Sequence, residues 1–197
     1  MPTNRDALLI VDVQNDFCPG GALPVPAGDR VVPVLNAYIG EFRDAGSPIF
    51  ASRDWHPRVS GHFRQAGGPW PPHCVQDTDG ARFHPDLALP EDAVILSKGV
   101  EAGDHGYSAF EGNDPEGRSL ADTLRARGIT RLYVGGLATD YCVRASVLDA
   151  RRNGLEVVLL LDAIRGIDAK EGDVQRALAE MRNAGALTEA RHGPEDS

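Results

Sequence analysis

Leu132-Tyr133-Val134-Gly135-Gly136-Leu137-Ala138-Thr139-Asp140-Tyr141-Cys142-Val143-Arg144 is the stretch on which the fold turns. It opens with a short apolar run that reads as a strand. It ends in a run with Val143, Val147 and Ala150 at i, i+4 and i+7, which reads as a helix. The turn between them delivers Cys142 to the first turn of that helix. Unpaired N–H groups and a positive dipole end favour thiolate over thiol at such a place, and the thiolate is the nucleophile. The same N–H groups can stabilise an oxyanion. The Gly-Gly pair lacks the G-x-G-x-x-G spacing that dinucleotide binding needs. A lone cysteine is more often a small buried apolar residue than a nucleophile, so the rest of the chain has to decide.

Working outward, residues 7–11 (Ala-Leu-Leu-Ile-Val) form a continuous apolar run, the mark of a strand buried on both faces of a parallel sheet. Asp12 follows it directly. Val31, Val34, Leu35, Tyr38, Ile39 and Phe42 make a helical stripe, with Asp29 placed to cap it and Gly46 to stop it. Residues 48–52 read as a second strand, 94–96 as a third, 131–134 as a fourth and 155–161 as a fifth. Helices are expected over 120–127, from Cys142 to about 153, and around Val174, Ala177, Leu178 and Met181. Ala186-Leu187-Thr188 suits a short edge strand. This alternation predicts an α/β fold: three α/β/α layers around a central, mostly parallel sheet, of Rossmann-like topology. A single domain over 1–197 is expected, with a Pro/Gly-rich excursion over about 53–90 and a polar, frayed tail over about 191–197. Sites in such sheets lie at the carboxyl ends of strands. Asp12, Asp54, Lys98 and Cys142 all fall there.

The totals limit the partners. A net charge of −9, from 29 acidic and 20 basic residues, argues against a nucleic-acid partner. No run is long enough to span a membrane, and the run at 7–11 is too short for a signal segment. Three widely spaced cysteines, Cys18, Cys74 and Cys142, are not a disulfide framework, which suits a reducing cytoplasm. The small partner is expected to be neutral or met by local positive charge. Monomer and homo-oligomer are both compatible with the sequence.

Two constellations carry chemistry. Acyl transfer by cysteine needs a proton acceptor that later becomes a donor. Asp12 can serve, with Lys98 keeping it ionised. Asp54 and His56, two apart in extended chain, point to one side, and His62 and His73 can reach in from the following loop. Three imidazoles and a carboxylate suit one divalent transition metal, Zn, Fe or Mn. Phe17, Trp70 and Tyr107 can wall a flat ligand. Taken singly, each has a plainer reading: a strand-end lysine in solvent, surface histidines, core aromatics.

Taken together, the motifs resemble a known family. Asp12-Val13-Gln14-Asn15-Asp16-Phe17-Cys18, Asp54-Trp55-His56, Trp70-Pro71-Pro72-His73-Cys74, Ser97-Lys98-Gly99, Tyr107-Ser108-Ala109-Phe110 and Ala138-Thr139-Asp140-Tyr141-Cys142-Val143-Arg144 occur in the order found in nicotinamidases/pyrazinamidases, within the isochorismatase-like cysteine hydrolases. The resemblance spans nearly the whole chain. It implies hydrolysis of nicotinamide to nicotinate and ammonia in NAD salvage. It further implies Cys142 as nucleophile, Asp12 as proton shuttle and Lys98 as third triad member. Asp54, His56, His62 and His73 would hold the metal, which in the family takes the pyridine nitrogen. Phe17, Trp70, Tyr107 and Tyr141 would border the ring. Backbone N–H groups of Ala138 and Cys142 would form the oxyanion hole, beside a cis peptide before Ala138. Tyr141 stands where the family commonly has a histidine, and the loop between Lys98 and Tyr107 is slightly longer than in close relatives. A related cysteine amidase on another small amide, or a binding homologue without catalysis, are the alternatives.

Overall fold

The apolar run ahead of Asp12 forms strand β1 (Asp6–Val11), buried along its whole length. This computed structural model describes residues 2–192. β1 shares a sheet with β2 (Ile49–Asp54), β3 (Val94–Lys98), β4 (Arg131–Leu137), β5 (Glu156–Arg165) and β6 (Leu187–Glu189). The strand order is β3-β2-β1-β4-β5-β6 and every pairing is parallel. Parallel neighbours require crossovers. Helices α1 (Val31–Asp44), α2 (Leu120–Ala126), α3 (Arg144–Arg152) and α4 (Asp173–Asn183) lie in four of the five connections, and the β2-to-β3 crossover is the long excursion with only two 3-10 turns.

The period of two in β1 splits the core. Leu8 and Ile10 pack with Val31, Leu35, Tyr38 and Phe42 of α1. Ala7, Leu9 and Val11 pack on the other face with Leu124 of α2, Val147 and Ala150 of α3, and Met181 of α4. Each fully buried Leu, Ile or Val contributes about 1.5–3 kcal/mol, so a strand covered on both sides has no use for alternating polarity. The strand order reverses between β1 and β4, the crevice where ligands of such sheets bind.

Several local expectations change. β4 runs on through Gly135 and Gly136 to Leu137, and β5 reaches Arg165. Gly136 (φ 121°) lies against β1, where a Cβ would stand 2.1 Å from the Val11 carbonyl oxygen. Only glycine permits that pairing. Asp29 does not cap α1. It sits inside a 3-10 turn, Gly28–Arg30, that feeds straight into the helix, so it lacks the extended backbone of a cap. Arg191 and His192, expected to fray, are held. The Asp162 carboxylate accepts from both of their backbone N–H groups, at 2.8 and 2.7 Å, and the His192 ring meets Glu41 at 2.6 Å. The remainder of the predicted tail lies outside the described residues. The excursion after β2 is ordered. It folds back through bridges between His56 and Val75 and between Phe63 and Trp70. Among the described residues no helix is long and apolar enough to cross a membrane.

Candidate active site

The chain turns sharply as it leaves β1, with Asp12 in the left-handed region (φ 50°). That turn points its carboxylate into the crevice. One Asp12 oxygen accepts from the Ser52 hydroxyl at 2.8 Å, and the other pairs with the Lys98 ammonium at 2.8 Å. Lys98 ends β3 and reaches across Asp54, its register partner at the end of β2. Its Nζ also donates to the Gly106 carbonyl at 2.6 Å, to Asp54 Oδ1, and toward Cys142 Sγ at 3.6 Å. Lys98 is 1% exposed and Asp12 fully buried. Carboxylate oxygens of Asp12 and Asp54 and the Cys142 sulfur lie within 4.8 Å of one another. One buried ammonium therefore serves two carboxylates and a sulfur.

The charges follow from this packing. Burial works against the Lys98 ammonium, but Asp12 and Asp54 outweigh it and hold its pKa well above the ordinary value. For Asp54 burial opposes ionisation, and the Lys98 ammonium overcomes it, so the carboxyl stays well below its usual range. Burial pushes Asp12 up to about 6, against the pull of Lys98. Burial raises the Cys142 thiol well above its ordinary value. Asp12 and Asp54 add to this, and Lys98 only partly offsets it. Burial and the two carboxylates therefore work against the thiolate that a helix end favours, and Lys98 works for it. The place of the cysteine also differs from the expected first turn of a regular helix. Cys142 lies in a π-helical turn, Thr139–Val143, ahead of α3, and it is 7% exposed.

Beside this group sit His56, His62 and His73, each buried, with ring nitrogens within 4.8 Å of one another. His56 Nδ1 lies 3.1 Å from the Gly99 carbonyl and His73 Nδ1 lies 2.8 Å from the Pro71 carbonyl. A carbonyl only accepts, so each Nδ1 carries the hydrogen and each Nε2 keeps its lone pair. Those two Nε2 atoms face the second Asp54 oxygen at 3.5 and 3.7 Å. His56 Nε2 and His62 Nδ1 are buried without a hydrogen-bond partner. Burial, then the neighbouring rings, push His62 down to about 4. Gly99 (φ 64°) makes room for the cluster, since a Cβ there would stand 2.4 Å from His56 Cε1. Orphaned lone pairs around a carboxylate fit a bound cation.

A pocket opens over both groups. Phe17, Leu23, Trp70, Tyr107, Tyr141 and Ile167 wall it, and Asp54, His62, His73, Ala138 and Cys142 form its floor. Trp70 Nε1 donates to the Tyr107 hydroxyl at 3.0 Å, and Tyr141 meets the Trp70 ring edge-to-face at 5.0 Å. The peptide bond between Leu137 and Ala138 is cis. The Ala138 carbonyl closes the turn by accepting from Tyr141 and Val143 at 3.0 and 3.1 Å. A larger surface cleft, of about 910 Å³, lies far from these groups, around Ser47, Pro48 and Arg127.

The isochorismatase domain matches residues 6–191. The chain belongs to the isochorismatase family, in its nicotinamidase/pyrazinamidase branch. It is 42% identical to a nicotinamidase of Escherichia coli, over 91% of this chain and 92% of that one. Its fold superposes on a pyrazinamidase of Pyrococcus horikoshii in complex with zinc with a TM-score of 0.87. There the identity is 51%, over 95% of this chain and 99% of that one. A protein of L. infantum, PnC1, in complex with nicotinate gives a TM-score of 0.85 at 37% identity, over 96% and 94%.

The candidate catalytic, metal-ligating and ring-bordering residues of the sequence gather at this one crevice. Others went unnoticed. The Gln14 side chain brackets Asp54, donating to its carbonyl and accepting from its N–H, both at 2.8 Å. Glu111 accepts from the N–H groups of Gly106 and Ser108, on either side of Tyr107, at 3.1 and 2.9 Å. It thereby fixes the carbonyl that Lys98 uses. Gln14 and Phe17 share one motif, so its position was a signal. For Glu111 the Ser108-x-x-Glu111 capping-box spacing was a signal, and for Ser52, Leu23 and Ile167 the sequence offers none.

Proposed function

We propose that this chain is a nicotinamidase: an amidohydrolase, one domain over 1–197, that converts nicotinamide, and pyrazinamide as an analogue, to the acid and ammonia. Its setting would be NAD salvage in the cytoplasm. The observation that carries the reading is Lys98 held between Asp12 and Asp54 with Cys142 Sγ at 3.6 Å, next to the histidine cluster. The relatives' names point to the same reaction.

In this reading Asp12 takes the Cys142 proton as the sulfur attacks the amide carbon. The oxyanion that forms is met by the N–H groups of Ala138 and Cys142. Asp12 then gives its proton to the nitrogen, the C–N bond breaks, and ammonia leaves a thioester. Asp12 next deprotonates a water, which attacks the thioester. The acid is released and the proton returns to sulfur. Lys98 keeps Asp12 in place through both half-reactions and offsets the charge on sulfur. A group near pKa 6 suits this traffic, because it gives and takes protons at little cost near neutrality. Phe17, Trp70, Tyr107 and Tyr141 confine the ring. His56, His62, His73 and Asp54 would hold a divalent metal, which when bound supplies a Lewis-acid contact to the ring nitrogen. That anchoring favours a heteroaromatic amide over other small amides.

Two results test these roles. Asp12 must be ionised to accept the proton, so activity is present above its pKa and lost below it. The acid limb of kcat/KM for nicotinamide is expected near pH 6. A limb near 4, the ordinary carboxylate value, would show that burial does not raise Asp12, and a limb unmoved in Asp12→Glu would remove Asp12 from the role. His56→Ala is expected to strip the metal, read by elemental analysis, and to raise KM at least about tenfold. Full activity in a metal-free variant would refute the metal's part.

A further inference from the structure

Asp140 lies two residues before Cys142 and takes no part in the chemistry above. The residue is 9% exposed. It points away from the triad and accepts two backbone N–H groups of the loop after β5, Ile167 at 2.9 Å on one oxygen and Asp168 at 2.8 Å on the other. A buried carboxylate that receives N–H groups on both oxygens is a strong tether. The loop is fastened at its other end too. Asp168 adopts φ 50° and accepts from the Val174 N–H, in the first turn of α4, at 3.0 Å. Ile167, held directly by the first of these fastenings, forms one wall of the pocket, with Leu23 and Tyr141 among its other walls. The turn that carries the cysteine thus also sets where Ile167 stands.

We propose that Asp140 is a positioning residue and Ile167 the specificity-determining residue it positions, together limiting the width of the ring that reaches Cys142. This rests on the nicotinamidase reading. The ligand class it admits is a single six-membered heteroaromatic amide; the class it rejects is a fused bicyclic one. The test compares kcat/KM for quinoline-3-carboxamide with kcat/KM for nicotinamide in wild type, Ile167→Ala, Asp140→Ala, Asp140→Asn and the double alanine variant. Removing Ile167's outer carbons is expected to raise that ratio roughly tenfold. Asp140→Ala is expected to raise it in the same direction, and the double variant to go no further than Ile167→Ala, since both act on one wall. Asp140→Asn keeps one accepting oxygen and is expected to move the ratio less. If Asp140→Ala does not fold, Asp140→Asn and Ile167→Ala still decide. An unchanged ratio in Ile167→Ala overturns the inference. So does an Asp140 variant that slows both substrates equally while Ile167→Ala shifts the ratio, because that is the mark of a purely structural role. A wild type that releases no ammonia from nicotinamide removes the functional reading itself, whereas an active wild type with an immovable ratio defeats this inference alone.

Discussion

Cys142→Ala is expected to lower kcat for nicotinamide by at least about four orders of magnitude, the scale seen when a nucleophile is removed from a group that acts as a unit. The sulfur forms the bond that divides the hydrolysis into two easier steps, and no neighbour replaces it. Cys18 and Cys74 are buried and lie outside the pocket lining. Ring binding rests on other groups, the aromatic walls and the histidine cluster. The variant should therefore bind nicotinate within about threefold of wild type, because a group that acts chiefly in the transition state adds little to ground-state affinity. Ammonia release and calorimetry read the two quantities separately. A variant that loses binding and turnover together would mean that Cys142 shapes the pocket instead of reacting.

Lys98→Met carries the second large effect, and it reaches both stability and rate. Lys98 is among the largest fully buried side chains, and its ammonium meets Asp12, Asp54 and the Gly106 carbonyl. A methionine fills the volume but leaves two buried carboxylates within 4.8 Å of each other and a carbonyl without a donor. Breaking a buried ion pair on one side costs about 3–5 kcal/mol, which for a chain of this size lowers Tm by roughly 10 °C. Turnover should fall by at least about a hundredfold at saturating nicotinamide, since Asp12 loses the partner that holds it in place. Thermal unfolding and steady-state kinetics measure these. A variant as stable as wild type would show that the ammonium is not the keystone of the triad.

Much of the scaffold was legible because its signals are local. The run at 7–11 announced a strand covered on both faces, and the stripe from Val31 to Phe42 announced α1. The motif residues were legible because strand ends in a parallel sheet share one edge, so Asp12, Asp54 and Lys98 had to converge. What stayed hidden depends on contacts across the chain. Gly135-Gly136 read as a turn because glycines usually punctuate, but here Gly136 lets β4 press against Val11 and Gly135 leaves room for Leu35 and Ala163. The charge balance around Cys142 depends on burial and on Asp12 and Asp54, both remote in sequence, which no local pattern encodes. Gln14 and Asp140 act by holding backbone groups far along the chain, and a side chain that bonds to backbone leaves no trace in its partner's identity. Arg191 and His192 look like tail in sequence, yet Asp162 and Glu41 hold them.

The central claim is a covalent acyl-enzyme on one sulfur. Acid-quenching wild-type enzyme within milliseconds of mixing with nicotinamide, then digesting it for mass spectrometry, tests that claim most directly. The account predicts a nicotinoyl group on the peptide containing Cys142, with ammonia already released and no such adduct in Cys142→Ala. Steady turnover with the label on another residue, or turnover undiminished when Cys142 is absent, would contradict it.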